Sequence, residues 1–338
     1  MPYQITIQPS GHQFTVNEDE SILAAALREG FTLPYGCRNG ACGSCKGTVL
    51  SGEVDHGKYQ TNTLKPEEIA QGRALFCVCK PLSDLTIEAR EIRAAGEVPV
   101  KTLPCRVQKL EKLADDVMRM QLKLPASERL QFLAGQYIDF LLKDGKRRSY
   151  SIANPPHADE FIELHLRHVP GGRFTEHVFT AMREKDILRL EGPHGSFFIR
   201  EDSDKPIIFI AGGTGFAPIK GMIEHLIAEQ SDRQMILYWG ARAQKDLYLA
   251  ELPLSWQQQY RNISFVPVLS DPVPDDNWQG RTGYVHQAVL DDFADLSGYE
   301  VYACGAPVMV DAARNQFTQT RKLPDNAFYA DSFIYQAD

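Results

Sequence analysis

The sequence has no apolar run long enough to span a membrane, no excess of basic residues, and no internal repeat or low-complexity tract. Its 36 Lys and Arg are outnumbered by 44 Asp and Glu, and this net charge of −8 disfavours nucleic acid as a partner, because phosphate binding needs a basic surface. The first residues alternate as in a strand and lack the apolar segment of a signal peptide. With only seven cysteines, we expect a cytoplasmic protein without a disulfide framework.

Four of the seven cysteines have a distinctive spacing. Cys37, Cys42 and Cys45 are separated by four and two residues, and Cys77 follows after a gap of 31. This is the plant-type [2Fe–2S] pattern, in which one loop supplies three thiolates and a later segment supplies the fourth. Glycines in the loop allow it to wrap tightly and to aim backbone N–H groups at the sulfurs. Structural zinc is the main alternative, but zinc sites usually recruit two close cysteine pairs.

Cys79 is a second candidate for the fourth ligand. In the plant-type pattern the ligand cysteine precedes a proline by four residues, and Pro81 then selects Cys77. Free cysteine is commonly buried, so we expect Cys79 to be a packed side chain.

The length of 338 residues predicts two or three domains. Residues 1–94 combine short strands with one main helix and resemble the β-grasp ferredoxins, and residues 95–100 read as a linker. Short strands and one helix in residues 101–203 predict a small antiparallel barrel. In residues 204–338 strands alternate with helices, which predicts a parallel α/β sheet. The expected fold class is therefore a multidomain combination of α+β and α/β architectures.

Arg148, Tyr150 and Ser151 lie at the end of a predicted strand of the barrel. Arg148 can make charge-assisted hydrogen bonds to a pyrophosphate, and Tyr150 offers a flat face to a ring system. The segment resembles the R-x-Y-S segment of ferredoxin–NADP reductase-type flavoproteins. The resemblance implies that Ser151 hydrogen-bonds near flavin N5, where hydride arrives, and we include it among the catalytic candidates.

Two further segments have counterparts in the same flavoproteins. Gly172 and Thr175 precede a predicted helix, where glycine N–H groups and the helix N-terminus can bind phosphate. They resemble the G-G-x-x-S/T segment of those proteins, and the turn at 192–197 resembles the one that usually follows. All three segments in order indicate a flavin site. The resemblance implies FAD rather than FMN, because relatives with an N-terminal ferredoxin generally use FAD.

The strand before the glycine segment contains His165 and Arg167. Neither His165 nor His168 has the spacing of a metal ligand, and both histidines are expected to be ordinary residues of the barrel. His165 and Arg167 are nevertheless included among the candidate cofactor-binding residues.

A glycine turn follows the first predicted strand of the last domain and opens a helix beginning at Ile219. A strand, a glycine turn and a helix N-terminus together make a dinucleotide pyrophosphate site. The turn resembles the G-G-T-G-x-A-P turn of the same reductases. The candidate contacts are Gly212, Gly213, Thr214, Gly215 and Pro218.

Cys304, Gly305 and Met309 end the last core strand of this domain and resemble the C-G-x-P-x-M segment of these reductases. The resemblance implies that Cys304 lies beside nicotinamide C4 and has a catalytic role; a small buried cysteine is the alternative. It also implies that Phe333 covers the flavin face until nicotinamide displaces it, with Asp331 close to the redox pair. The family commonly has Glu at the latter position.

The choice between NADH and NADPH depends on residues after the second strand of the domain. A 2′-phosphate requires Arg or Lys, whereas a 2′-hydroxyl accepts an acidic partner. Arg242 and Lys245 leave NADPH open, while Asp246 and the resemblance to oxygenase-type reductases favour NADH.

Over essentially its whole length the chain resembles the iron–sulfur flavoprotein reductases. Residues 40–47 and 80–85 are most similar to the CDP-6-deoxy-3,4-glucoseen reductases. The resemblance implies an oxidoreductase that takes hydride from NADH onto FAD and passes single electrons through a [2Fe–2S] cluster. The acceptor would be a transiently docked partner, either a CDP-6-deoxyhexose 3-dehydrase or an oxygenase component. A redox-sensing binding protein is the alternative of another class, but a sensor needs no hydride geometry.

Overall fold

The computed structural model describes residues 2–61, 63–91, 98–274 and 277–333. The chain forms two compact units, residues 1–99 with 194–196 and residues 100–193 with 197–338. The predicted boundary at residue 94 and the first part of the predicted linker, 95–97, lie outside the described residues. Among the helices of the described ranges, none combines the length and apolarity of a membrane span.

The first unit is built on a mixed five-stranded sheet, as predicted. The elements of this unit are β1 Tyr3–Gln8, β2 Gln13–Val16, α1 Ile22–Arg28, β3 Lys46–Ser51, β4 Val54–Asp55, α2 Pro66–Ala70, β5 Arg73–Leu75, β6 Lys80–Pro81 and β7 Leu85–Glu88. The sheet order is β2-β1-β7-β3-β5, with β1 and β7 parallel and the other neighbours antiparallel. Alternating Ile5 and Ile7 of β1 are fully buried, and the Ser21 hydroxyl caps α1 by accepting from the Ala24 N–H.

The second unit begins with an antiparallel barrel, again as predicted. Its elements are β8 Lys101–Ala114, β9 Val117–Lys123, β10 Tyr137–Leu141, β11 Arg147–Ser151, β12 Ile162–Arg167, α3 Arg173–Thr180 and β13 Ile187–His194. The strand order is β11-β10-β13-β8-β9-β12. An antiparallel bridge between Ile152 and Leu164 joins the two ends, and the Ala153 N–H donates to the Glu163 carbonyl at 2.8 Å. The residues just after β11 are therefore held against β12.

A parallel sheet completes the second unit. Its elements are β14 Ile207–Gly212, a 3₁₀ turn Gly213–Gly215, α4 Phe216–Ala228, β15 Met235–Ala241, a 3₁₀ turn Gln244–Asp246, α5 Glu251–Gln259, β16 Ile263–Leu269, β17 Arg281–Thr282, α6 Val285–Asp292, β18 Glu300–Gly305, α7 Pro307–Thr320, a 3₁₀ turn Asp325–Ala327 and β19 Phe328–Ser332. The order is β17-β16-β15-β14-β18-β19, and every paired neighbour is parallel. Strand order reverses between β14 and β18, which is where ligands bind in such sheets.

Helix α4 begins at Phe216, three residues earlier than the predicted Ile219. The prediction placed the start after Pro218, but this proline lies within the first turn of the helix. There a backbone N–H has no acceptor within the helix, so proline is tolerated. The glycine turn therefore leads directly into the helix.

Candidate cluster and cofactor sites

The four predicted cluster cysteines lie in two pairs within the first unit. The thiols of Cys37 and Cys42 hydrogen-bond to each other, as do those of Cys45 and Cys77. In the described part of the chain, no three cysteine Sγ atoms lie within 4.8 Å of one another. A single tetrahedral zinc would draw four sulfurs to within about 3.8 Å of one another, since each Zn–S bond is about 2.3 Å long. Two pairs instead fit two irons, each with two thiolates.

Backbone N–H groups surround the first pair of thiols. The Cys42 thiol, by hydrogen bonding, and the N–H groups of Asn39 and Ala41 lower the pKa of Cys37 to about 7. The Cys37 N–H in turn lies 3.3 Å from Cys42 Sγ. Thiolates are the ligands of iron, so this environment favours the ligand form of Cys37. The same hydrogen bond between the thiols raises the pKa of Cys42.

Gly40 serves the second pair of thiols. Its φ is +76°, which is open to glycine at little cost, and its N–H hydrogen-bonds to the Cys77 sulfur. Hydrogen bonding with Cys45 and with this N–H lowers the pKa of Cys77. The loop residues therefore contact thiols of both pairs through the backbone.

Cys79 is fully buried in the core of the first unit. Burial raises the pKa of its thiol to about 12. Its carbonyl accepts a hydrogen bond of 3.0 Å from the Ile22 N–H at the start of α1. An apolar environment of this kind disfavours a thiolate. What distinguishes Cys77 is its hydrogen bond with the Cys45 thiol, which makes it a member of one of the two pairs.

The candidate flavin residues at the end of β11 lie beside the N-terminus of α3. The ring of Tyr150 packs on Phe140 and Phe174 with centroids 5.9 and 5.8 Å apart, and Phe174 belongs to the first turn of α3. Arg148 lies two residues before Tyr150 and therefore on the same face of the strand, and Ser151 is buried at the strand end. A cation, an aromatic face and a helix N-terminus together fit the pyrophosphate and ring of a flavin.

The Thr175 hydroxyl closes the loop before α3. It accepts from the Val169 N–H at 3.1 Å and lies within hydrogen-bond distance of the carbonyls of Val169 and Gly172. Gly172 is the N-cap residue of the helix. The side chain of Thr175 is thus engaged within its own loop, and the backbone at Gly172 is the better placed of the two for a phosphate.

The ring of His165 is completely buried. Its Nε2 lies 3.1 Å from Glu163 Oε1 and its Nδ1 lies 3.0 Å from the hydroxyl of Tyr248. Both ring nitrogens are therefore already engaged, and a cofactor contact at this position would have to use the backbone.

Arg167, two residues further along β12, lies beside the glycine turn of the nicotinamide-binding sheet. A Cβ atom on Gly213 would be only 3.2 Å from its Nη1. The Nε atom is 3.3 Å from the carboxylate of Asp116, while Nη2 is buried and has no hydrogen-bond partner among the described residues. A buried guanidinium N–H without a partner is costly in the absence of an anion, so this position fits a phosphate.

The ends of β14 and β18 approach each other so closely that only glycine fits between them. A Cβ atom on Gly215 would lie 2.1 Å from the carbonyl oxygen of Cys304, and one on Gly212 would lie 2.7 Å from Met309 Sδ. Trp239 holds the turn from its other side by donating from Nε1 to the Gly213 carbonyl at 3.0 Å. The result is a rigid turn at the switch point of the sheet, with α4 following it.

Cys304 is fully buried at the end of β18. Burial raises the pKa of its thiol well above the ordinary value, and the charge of Asp331 raises it further. Asp331 is paired with Cys304 in the register between β18 and β19. Phe333, two residues after Asp331, donates its backbone N–H to the Gly305 carbonyl at 2.8 Å. The thiol is therefore neutral and lies next to the C-terminal strand.

The residues predicted to choose between NADH and NADPH have different environments. Arg242 and Lys245 are exposed. The carboxylate of Asp246 accepts from the Ala243 N–H at 3.0 Å and closes its own turn. It is therefore partly committed to local structure, and the preference between the two nucleotides stays a prediction.

Paired thiols in a ferredoxin-like sheet, a barrel that places a cation beside a helix N-terminus, and a glycine turn at a switch point together indicate an iron–sulfur flavoprotein oxidoreductase. Three family models match in that order: a 2Fe-2S iron-sulfur cluster binding domain at residues 5–82, an oxidoreductase FAD-binding domain at 104–199 and an oxidoreductase NAD-binding domain at 209–315. The chain belongs to the family of iron–sulfur flavoprotein reductases. The predicted oxidoreductase class and its [2Fe–2S], FAD and NAD cofactors are confirmed.

Similar proteins cover the chain from end to end. It is 42% identical over 334 residues to the CDP-6-deoxy-L-threo-D-glycero-4-hexulose-3-dehydrase reductase of Yersinia pestis, with 99% of both chains covered. It is 36% identical over 335 residues to reductase component 1 of the terephthalate 1,2-dioxygenase of Comamonas sp., with 98% of both covered. The structure of the Amycolatopsis cytochrome P450 reductase GcoB superposes with a TM-score of 0.77 at 34% identity, covering 98% of both chains. The predicted fold class and the transfer of electrons from a nicotinamide nucleotide are thereby confirmed.

Proposed function

We propose that this reductase draws on NADH and delivers its electrons to a dehydrase that acts on a CDP-6-deoxyhexose. The observation that supports this partner is the 42% identity to a reductase of that kind over 99% of both chains, against 36% and 37% for two reductase components of a dioxygenase. When bound, FAD accepts a hydride and the cluster carries one electron at a time, so the pair converts a two-electron donor into single electrons.

The chain's own residues would hold the two nucleotides at the ends of β11 and β14. Arg148 and the N-terminus of α3 would bind the FAD pyrophosphate, and Ser151 would place a hydroxyl donor at the flavin ring. The Gly213–Gly215 turn and Nη2 of Arg167, which has no hydrogen-bond partner among the described residues, would bind the NADH pyrophosphate. Each phosphate group thus meets both a cation and a helix N-terminus.

Cys304 would orient the nicotinamide ring against the flavin. Its thiol is neutral and fully buried, so its contribution is shape rather than charge. Nicotinamide can reach this thiol only if a covering group moves aside, and Phe333, at the end of the last strand, is the candidate. In this arrangement, the Phe333 side chain would exclude water from the flavin ring until NADH arrives.

An anaerobic titration with NADH, followed by visible absorbance and low-temperature EPR, tests the electron path. Loss of flavin absorbance together with a rhombic signal from the reduced cluster is the expected result. Flavin reduction without that signal would contradict the proposed path. The partner is tested separately, by mixing the reduced protein with a CDP-6-deoxyhexose 3-dehydrase and its substrate, and in parallel with an oxygenase component. If the oxygenase component reoxidises the cluster and the dehydrase does not, the chain is a reductase of the oxygenase type.

Replacing Cys304 with alanine is expected to lower the rate of flavin reduction at saturating NADH by about 10-fold, because the nicotinamide loses a surface that fixes its geometry. Stopped-flow absorbance measures this rate, and cluster and FAD contents should equal those of the wild type. Cys105→Ala is the matched control, since it removes a buried thiol that lies in the barrel rather than at the nicotinamide site. Wild-type reduction rates in Cys304→Ala would contradict the assigned role.

A further inference from the structure

Lys220 is a buried cation that joins the nicotinamide domain to the flavin barrel. It lies on α4, and its side chain is only 9% exposed. Its Nζ atom lies 3.2 Å from Glu163 Oε1, 2.9 Å from Glu224 Oε2 and 3.2 Å from the carbonyl oxygen of Ala153. An ammonium group has three N–H donors, and three acceptors surround this one. Two of them, Glu163 and Ala153, belong to the barrel.

A second connection crosses the same boundary through Glu163. Although burial acts to raise it, the pKa of Glu163 is lowered to about 2 by the His165 hydrogen bond and by the charge of Lys220. A carboxylate only accepts, so the His165 Nε2 must carry the proton that it shares with Glu163. This assignment from the network leaves Nδ1 to accept from the hydroxyl of Tyr248, in the nicotinamide domain, at 3.0 Å. Glu163 therefore anchors two side chains of that domain, one directly and one through His165.

The backbone next to these side chains is in close contact as well. A Cβ atom on Gly221 would lie 3.0 Å from the Asn154 carbonyl oxygen, so α4 rests directly on the chain that follows β11. Ser151, the candidate flavin contact at the end of β11, lies three residues before Asn154. The N-terminus of the same helix directly follows the glycine turn of the nicotinamide site. One helix thus links the two candidate cofactor sites, and Lys220 fastens it to the barrel.

We propose that the ion pair between Lys220 and Glu163 is a positioning device, which fixes α4 on the barrel and thereby sets the distance between nicotinamide and flavin for hydride transfer. The proposal rests on the function proposed above. Lys220 and Glu163 bind other groups of the protein, so they would act on hydride transfer through α4 and β12, the elements that carry them. Hydride transfer is sensitive to small displacements of the reacting groups, since a shift of about 1 Å can lower the rate about 100-fold.

The test uses Lys220→Met in the full-length holoprotein. At saturating NADH the rate of flavin reduction is expected to fall by about 10-fold, with little change in the NADH concentration at half-saturation. Hydrogen–deuterium exchange without NADH gives a readout that is independent of activity, and residues 151–154 and 216–224 should exchange faster than in the wild type. Lys205→Met removes an exposed lysine of the same domain and is the matched control.

Two further variants keep the proposal open to refutation if Lys220→Met fails to fold. Glu163→Gln keeps the shape of the side chain, and its effect on the reduction rate should not add to that of Lys220→Met in the double variant. Lys220→Arg keeps the charge and should recover part of the rate. An unchanged rate with unchanged exchange, or a loss confined to NADH binding, would overturn the proposal. Failure of NADH to reduce the wild-type flavin would instead count against the proposed function.

Discussion

Cys77→Ser is expected to abolish the [2Fe–2S] cluster and to leave flavin reduction by NADH at the wild-type rate. The Cys77 thiol forms one of the two pairs with Cys45, and its loss leaves one iron a thiolate short. The candidate flavin and nicotinamide residues all belong to the second unit of the chain. Visible absorbance and EPR measure the cluster, and stopped-flow absorbance measures the flavin. Electron delivery to any partner through the cluster should fall to background.

Cys79→Ser is the matched control for this experiment. Its thiol is two residues away, fully buried and in a core that disfavours a thiolate. Burying a hydroxyl in its place should destabilise the first unit by about 1–3 kcal/mol, measured by thermal unfolding, while the cluster remains. A cluster that survives in Cys77→Ser and disappears in Cys79→Ser would make Cys79 the fourth ligand and Cys77 the packed side chain.

The second large effect is expected from Gly215→Ala. The added methyl group would lie 2.1 Å from the Cys304 carbonyl oxygen, and because the neighbour is backbone, the turn itself must move. That movement disturbs the pyrophosphate site and the strand end of Cys304 together. We expect flavin reduction by NADH to fall at least about 100-fold, as measured by stopped-flow absorbance.

Gly298→Ala provides the control, since a Cβ atom there meets nothing within 4 Å. Reduction by dithionite shows whether the Gly215→Ala protein still contains its flavin and its cluster, and both should be present in normal amounts. NADH reduction at the wild-type rate in this variant would remove the glycine turn from the nicotinamide site.

Features that depend on neighbouring residues could be predicted from the sequence. Helix α2, Pro66–Ala70, has such local signals, because it carries a proline at its first position and acidic residues in its first turn. The first predicted strand of the last domain is present as β14, Ile207–Gly212, since an unbroken apolar run indicates a parallel strand buried on both faces. The cysteine spacing belongs to the same class, because Cys37, Cys42 and Cys45 are close in sequence and lie in one loop.

Features that depend on distant partners could not be predicted. Nothing near Lys220 shows that its ammonium group pairs with Glu163 of another domain, and the same holds for Tyr248 and His165. Polar side chains bind the partner that folding brings closest, and only the three-dimensional structure identifies that partner.

The first two backbone N–H groups of α1 donate to the carbonyls of Phe76 and Cys79, on either side of Cys77. During synthesis the loop with three cysteines leaves the ribosome well before this segment, so a nascent chain presents three thiolates with no fourth. The fourth becomes available only when the later segment docks on the helix. A cluster with all four thiolate ligands can therefore form only after the segment that carries Cys77 has been synthesised.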